Sequence, residues 1–105
     1  MLTPSAPSCS RATRAIAFMD INPATRGHAL VIPRAHATDV VDIGAQDLAA
    51  CAALAARVAR VAREDLGADG VNLLNSSGSA AWQTVFHFHL HVIPRYPGDP
   101  LRLPG

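Results

Sequence analysis

The stretch from Phe86 to Val92 reads Phe-His-Phe-His-Leu-His-Val, with apolar residues and histidines alternating without a break. That pattern constrains the fold more than any other part of the chain. Successive side chains of a strand point to opposite faces, whereas the same residues on a helix would scatter around its circumference. The pattern predicts a final long strand over Thr84 to Ile93. Phe86, Phe88, Leu90 and Val92 would face the core, and Val85, His87, His89 and His91 would line the other face. Alternate residues on a strand stand roughly 6.5 to 7 Å apart, so the imidazoles are expected to form a row that can engage an extended ligand.

Three chemistries fit such a row. One is a plain solvated face, although such faces ordinarily carry Thr, Lys, Glu or Arg. A second is a metal site, since imidazole is the commonest metal-binding side chain. No Asp, Glu or Cys lies close by in sequence to complete it, so His28 or His36 would have to approach in space. The third is nucleophilic or acid/base catalysis, one imidazole attacking while its neighbours hold a proton or an anionic oxygen. Two features outside the row favour the third. The small-residue loop Ser76 to Ala81 leads into Gln83 and Thr84, offering backbone amides and hydroxyls to an anion. Asp20 stands beside Phe18 and Ile21, one acceptor amid apolar side chains, which suits the ribose and base of a nucleoside. On the residues alone, Phe18 and Ile21 read more readily as ordinary core.

The rest of the chain predicts an α+β domain. Ala15 to Met19 reads as a strand running into the turn at Asp20 to Pro23, with Cys9 to Arg11 as a possible hairpin partner. His28 to Pro33 reads as a strand closed by a proline, Thr38 to Ile43 as a short helical turn, and Val71 to Asn75 as a further strand. Ala45 to Leu66 is alanine-rich, free of Pro and Gly, and followed by Gly67, which predicts one long helix with a left-handed end. Its apolar stripe is Leu48, Cys51, Ala52, Ala55, Val58, Ala59, Ala62 and Leu66, with Arg57, Arg60 and Glu64 opposite on a solvated face. Strand, strand, helix, strand, strand implies a mainly antiparallel sheet of about five strands covered by that helix.

With 105 residues, one core is expected: a single domain over 11–105, after a flexible Pro- and Ser-rich segment over 1–10. All nine basic residues are arginine, set against eight acids, a balance that argues against a nucleic-acid surface. Cys9 and Cys51 form no CxxC, which fits a reducing cytoplasm, the expected location. No run reaches the roughly 20 apolar residues that cross a bilayer, so no membrane partner is expected.

His87-Phe-His89-Leu-His91-Val-Ile resembles the signature of the histidine-triad (HIT) family, of the Hint-like and bacterial hydrolase branch. Phe18-Met-Asp20-Ile-Asn-Pro23, Gly27-His28-Ala-Leu-Val-Ile-Pro33, His36, Asn75 and Gln83-Thr84-Val85 are similar to the family's blocks in order and spacing, over roughly residues 14 to 97. The resemblance implies a homodimer that binds purine nucleotides and cleaves or transfers at the α-phosphorus of a phosphoramidate or dinucleoside polyphosphate. It implies His89 as the nucleophile, flanked by His87 and His91, with His28 completing the set. Asp20 would meet the ribose hydroxyls, with Phe18 and Ile21 beside the base; Asn75, Gln83 and Thr84 would surround the phosphate and leaving group. Two departures stand out. Many bacterial members carry an N-terminal CxxC that binds zinc with histidines matching His36 and His87; that pair and the usual N-terminal helix look absent, so no structural zinc and no cofactor are expected. Trp82 stands where the family commonly has glycine, either narrowing the leaving-group side or packing at a dimer contact.

Overall fold

The computed structural model describes residues 14–101. The elements run β1 (Ala15–Met19), β2 (Ala29–Pro33), α1 (Ala45–Asp65), β3 (Gly70–Leu74), a 3-10 turn at Ser79–Ala81 and β4 (Leu90–Arg95). The sheet is antiparallel throughout, in the order β1-β2-β4-β3. It has four strands where about five were expected among all residues; Cys9 to Arg11, the possible fifth, lies outside the described residues, as do the segment 1–10 and any N-terminal helix. No helix among the described residues is long and apolar enough to cross a membrane.

The 21-residue helix α1 ends where its sequence says it should. Gly67 adopts φ +72°, a left-handed conformation that costs glycine little, and beyond it the Ala68 N–H reaches back to the Ala62 carbonyl at 3.2 Å. Cys51, Ala55 and Ala62 form its buried seam, with Leu48, Leu54, Val58 and Ala59 packed beside it. Ala52, which spacing assigned to the stripe, is exposed, being about 100° around the helix from Cys51 and beyond the seam's edge. Burial, helped by Asp47, pushes the Cys51 thiol up to about 11, so it packs as a small apolar group.

The seam meets Ala15, Ala17, Ala29, Val31 and Val92 on one face of the sheet. Residues opposite one another in an antiparallel pair share a face, so the register places Phe18, Leu30, His91 and Leu74 in one line across the other face. An apolar groove of about 320 Å³ opens on the helix side, lined by Ala17, Met19, Ala29, Leu54, Val58 and Ala62 among others. At the far end Gly27, at φ +87°, passes so close to Leu66 that a Cβ would collide with it, which brings His28 in flush against the sheet.

The histidine strand is shorter than predicted. β4 begins at Leu90, and residues 84–89 form no ladder, the chain bending at 85–87. The reason lies in the neighbours. Pairing with β2 ends at Val31 opposite Leu90, two residues before Pro33, which has no N–H to donate, and pairing with β3 ends at Leu74 opposite His91. Upstream of those positions burial no longer follows the alternation. Phe88 is 1% exposed and part of the core, whereas Phe86, assigned to the same face by alternation, is 51% exposed. Phe88→Ala is expected to cost about 3 to 5 kcal/mol and Phe86→Ala less than about 1 kcal/mol in urea unfolding. Equal costs would restore a continuous strand from 84 to 93.

Candidate active site

Each imidazole takes the tautomer that its backbone and ring partners dictate. His28, 5% exposed, receives the Ala24 N–H on Nδ1 at 2.9 Å, so its ring proton is on Nε2. That N–H faces His91 Nδ1 at 2.9 Å and donates to it. His91 is left with its own proton on Nε2. His89 Nδ1 lies 2.8 Å from the His87 carbonyl, which can only accept, so this nitrogen carries the proton and Nε2 presents a bare lone pair. The His89 and His91 rings stand edge to face with centroids 5.0 Å apart. A ring nitrogen with a bare lone pair and a neutral N–H donor thus sit side by side.

Asp20 closes this group. Its Oδ2 is 3.5 Å from His28 Nε2 and its Oδ1 accepts the Asn22 N–H at 2.9 Å. Burial lowers the His28 pKa against the opposing pull of Asp20, so the 3.5 Å contact joins a carboxylate to a neutral ring and is not an ion pair. Burial, with the neighbouring His89 and His28, brings His91 down to about 4. His91 therefore presents its Nε2–H as a neutral donor.

His87 leaves the expected row. Its ring turns to His36, Nδ1 to Nδ1 at 3.3 Å, while its Nε2 lies 3.3 Å from the Pro33 carbonyl. With Nε2–H given to that carbonyl, His87 Nδ1 accepts the Nδ1–H of His36. A structural zinc takes four ligands. Among the described residues no cysteine or carboxylate joins this pair, and the group of three close ligand atoms is Asp20, His28 and His91 instead.

Two of the polar residues assigned to the phosphate, Gln83 and Asn75, have their hydrogen bonds inside the protein. Gln83, 4% exposed, accepts the Gly78 N–H at 2.7 Å and gives its amide protons to the Thr38 and Val85 carbonyls at 2.7 and 3.1 Å. It clamps the loop expected to be flexible. Asn75 donates to the His89 carbonyl at 3.0 Å and accepts from the Ser77 hydroxyl, a partner sequence reasoning missed because a serine in a small-residue loop carries no distinguishing signal. Thr84 is exposed. Phe18 and Ile21 lie outside the core, 39% and 91% exposed, so the core reading fails for both. Trp82 has φ +75° and its indole is exposed. That backbone conformation, which costs a non-glycine residue about 1 kcal/mol, explains why glycine suits the position.

The HIT domain family matches residues 10–98. An uncharacterised HIT-like protein of Mycobacterium tuberculosis is 46% identical over 86 residues, covering 82% of this chain and 60% of the relative. The crystal structure of a zinc-bound histidine-triad family protein from Mycobacterium smegmatis is 50% identical with a TM-score of 0.80, covering 85% of this chain and 65% of that one. A hypothetical histidine-triad nucleotide-binding protein from Sulfolobus tokodaii is 35% identical with a TM-score of 0.77, covering 82% and 58%. The chain thus spans about 60% of the length of the curated relative it matches.

The lowered histidines set a pH dependence. The unfolded chain binds protons near 6.5, the ordinary histidine value, and folded His91 only near 4, so stability is complete above that upper value and falls with pH through the window between. Between pH 6.5 and 5 the Tm is expected to drop by roughly 5 °C, and by less in His91→Asn, measured by circular dichroism. A flat profile in this range would contradict the neutral, half-buried His91.

Proposed function

The chain belongs to the HIT family, and on that premise we propose that it is a nucleotide-binding hydrolase or transferase acting at the α-phosphorus of a purine nucleoside phosphoramidate or dinucleoside polyphosphate. The observation that carries the reading is the 2.8 Å bond from His89 Nδ1–H to the His87 carbonyl, which leaves Nε2 as the free lone pair. A histidine held in that tautomer is ready to attack phosphorus. The homologue described as nucleotide-binding lends support to the nucleotide class.

In the proposed mechanism His89 Nε2 attacks the α-phosphorus, the bond to the leaving amine or phosphate breaks, and the leaving group takes a proton from water. The N–H of His91 donates to the phosphoryl oxygen, and His28 orients it from behind. Charge develops on that oxygen in the transition state, so a neutral donor aimed there lowers the barrier. Water then attacks the nucleotidyl-histidine, loses a proton, and releases a nucleoside monophosphate while His89 recovers its lone pair. Asp20 takes the ribose hydroxyls, with exposed Phe18 and Ile21 offering apolar surface to the base. Asn75 and Gln83 serve by holding the loops around the phosphate, and Thr84 is free to contact it. The proposal takes residues 11–105 as one domain, working as a cytoplasmic homodimer.

A second reading, a metal-binding protein, draws on Asp20, His28 and His91, whose ligand atoms lie within 4.8 Å of one another. The His28 to His91 hydrogen bond already occupies two of those atoms, which favours the phosphoryl chemistry.

Incubated with adenosine phosphoramidate or diadenosine polyphosphate, the protein is expected to release adenosine monophosphate, and His89→Ala to lower the rate at least about a thousandfold. An unchanged rate in that variant would exclude His89 as nucleophile. Nucleotide retained for hours without product would identify a binding module, and a nucleoside diphosphate formed only with inorganic phosphate a phosphorylase.

A further inference from the structure

The ladder between β3 and β4 stops at Leu74 opposite His91. Continued by one step, that register would set Asn75 against Leu90, and by a second, Ser76 against His89. The strand ends instead, and a side chain takes over: Asn75 Nδ2 donates to the His89 carbonyl at 3.0 Å. An asparagine does this in only one of its amide orientations, because the carbonyl accepts and the amide oxygen has no proton to give.

Ser77 selects that orientation. Its Oγ accepts the Val40 N–H at 2.9 Å, which leaves its single proton for Asn75 Oδ1, 2.6 Å away. The bonds run in one direction, from the Val40 N–H through the Ser77 hydroxyl and the Asn75 amide to the His89 carbonyl, so each polarises the next. The start of this relay is itself held. Asp39 Oδ1 accepts the Val41 and Asp42 N–H groups at 3.0 Å, the Thr38 N–H donates to Asp42 at 2.9 Å, and the Thr38 carbonyl accepts from Gln83 at 2.7 Å.

We propose that Ser77 is a positioning residue for the histidine that attacks: its hydroxyl keeps the Asn75 NH2 turned to the His89 carbonyl, and that bond sets the backbone from which the His89 ring projects. The proposal rests on the reading of His89 as nucleophile. Leu90 is the first residue of β4 and pairs with Val31, so the peptide joining it to His89 has β2 on one edge and Asn75 on the other. Without the Ser77 hydroxyl, Asn75 Oδ1 loses its donor and the amide is free to turn. Turned over, its oxygen would face the His89 carbonyl, one acceptor against another. The peptide then rocks about its β2 edge, and the His89 lone pair swings off the line to phosphorus. In-line attack tolerates only about 10 to 20° of such error. Asp20, Phe18 and Ile21 take no part in the relay, so the loss falls on turnover and not on binding.

The test uses the whole chain with Ser77→Ala, Ser77→Thr, Asn75→Ala and the double variant Ser77→Ala/Asn75→Ala; Ser77→Gly takes the place of alanine if that variant does not fold. With adenosine phosphoramidate, kcat is expected to fall on the order of tenfold in Ser77→Ala, with KM within about twofold and recovery in Ser77→Thr. Asn75→Ala is expected to fall at least as far, and the double variant no further, because the hydroxyl acts through the amide. A serine that only stabilises the loop would lower the rate equally in both backgrounds. Side-chain amide NMR of Asn75 reads the orientation directly: its two protons are expected to stay well separated in the native protein and Ser77→Thr, and to converge towards free-amide positions in Ser77→Ala. A full further drop in the double variant, no recovery with threonine, or a native Asn75 signal in Ser77→Ala overturns the proposal. If the native protein turns over no nucleotide, the functional reading fails by itself, and the amide signal still decides whether Ser77 orients Asn75.

Discussion

A neutral imidazole has one lone pair to offer, and which nitrogen offers it depends on where the other points. In this chain the His87 carbonyl, 2.8 Å from His89 Nδ1, settles the matter. The ladder has to end for that to happen. In a strand interior the carbonyl of residue 87 would bond to a neighbouring strand and have no lone pair directed at a side chain two residues on. The start of β4 at Leu90 is therefore a condition of the site's chemistry. Gln83 and Asn75 compensate for the missing ladder by tying residues 84–89 to the loops on either side.

Much of the architecture was legible in the residues. The long helix and three of the strands follow from local causes: alanine without breakers, a glycine after the last turn, short apolar runs closed by turn residues. The alternation at 86–92 was legible as well, and it places His91 on the face opposite α1, in line with Leu30 and Leu74. Its extent was not. Alternation is a property of one segment, whereas a ladder needs partners, and those run out because β2 approaches Pro33 and β3 stops at Leu74. The exposure of Phe86 follows from the same cause.

The candidate site was legible as a set of residues and less so as a set of roles. Asp20, His28, His89 and His91 come together, as the spacing of the blocks implies. Residue type did not distinguish a glutamine that meets a ligand from one whose three hydrogen bonds all go to its own backbone. Nor did it separate His87 from its two neighbours, because the partner that claims it, His36, lies 51 positions away. The backbone N–H of Ala24, which sets the tautomer of His28, has no sequence signature at all.

Charge explains why the chain runs on neutral rings. Asp20 attracts a proton towards His28 and His91, and burial opposes it; burial is the larger effect for both. Were the proton to win, His91 would carry one on each nitrogen, and the Nδ1 that accepts from His28 would become a second donor facing the first. The 2.9 Å contact would turn repulsive and the orientation of His91 would be lost. Desolvation thus protects a directional hydrogen bond, and the ordered neutral chain from Ala24 through His28 to His91 delivers a polarised N–H without net charge. An anionic phosphate bound as proposed would strengthen that chain, since its charge would polarise each N–H in the same direction along the series.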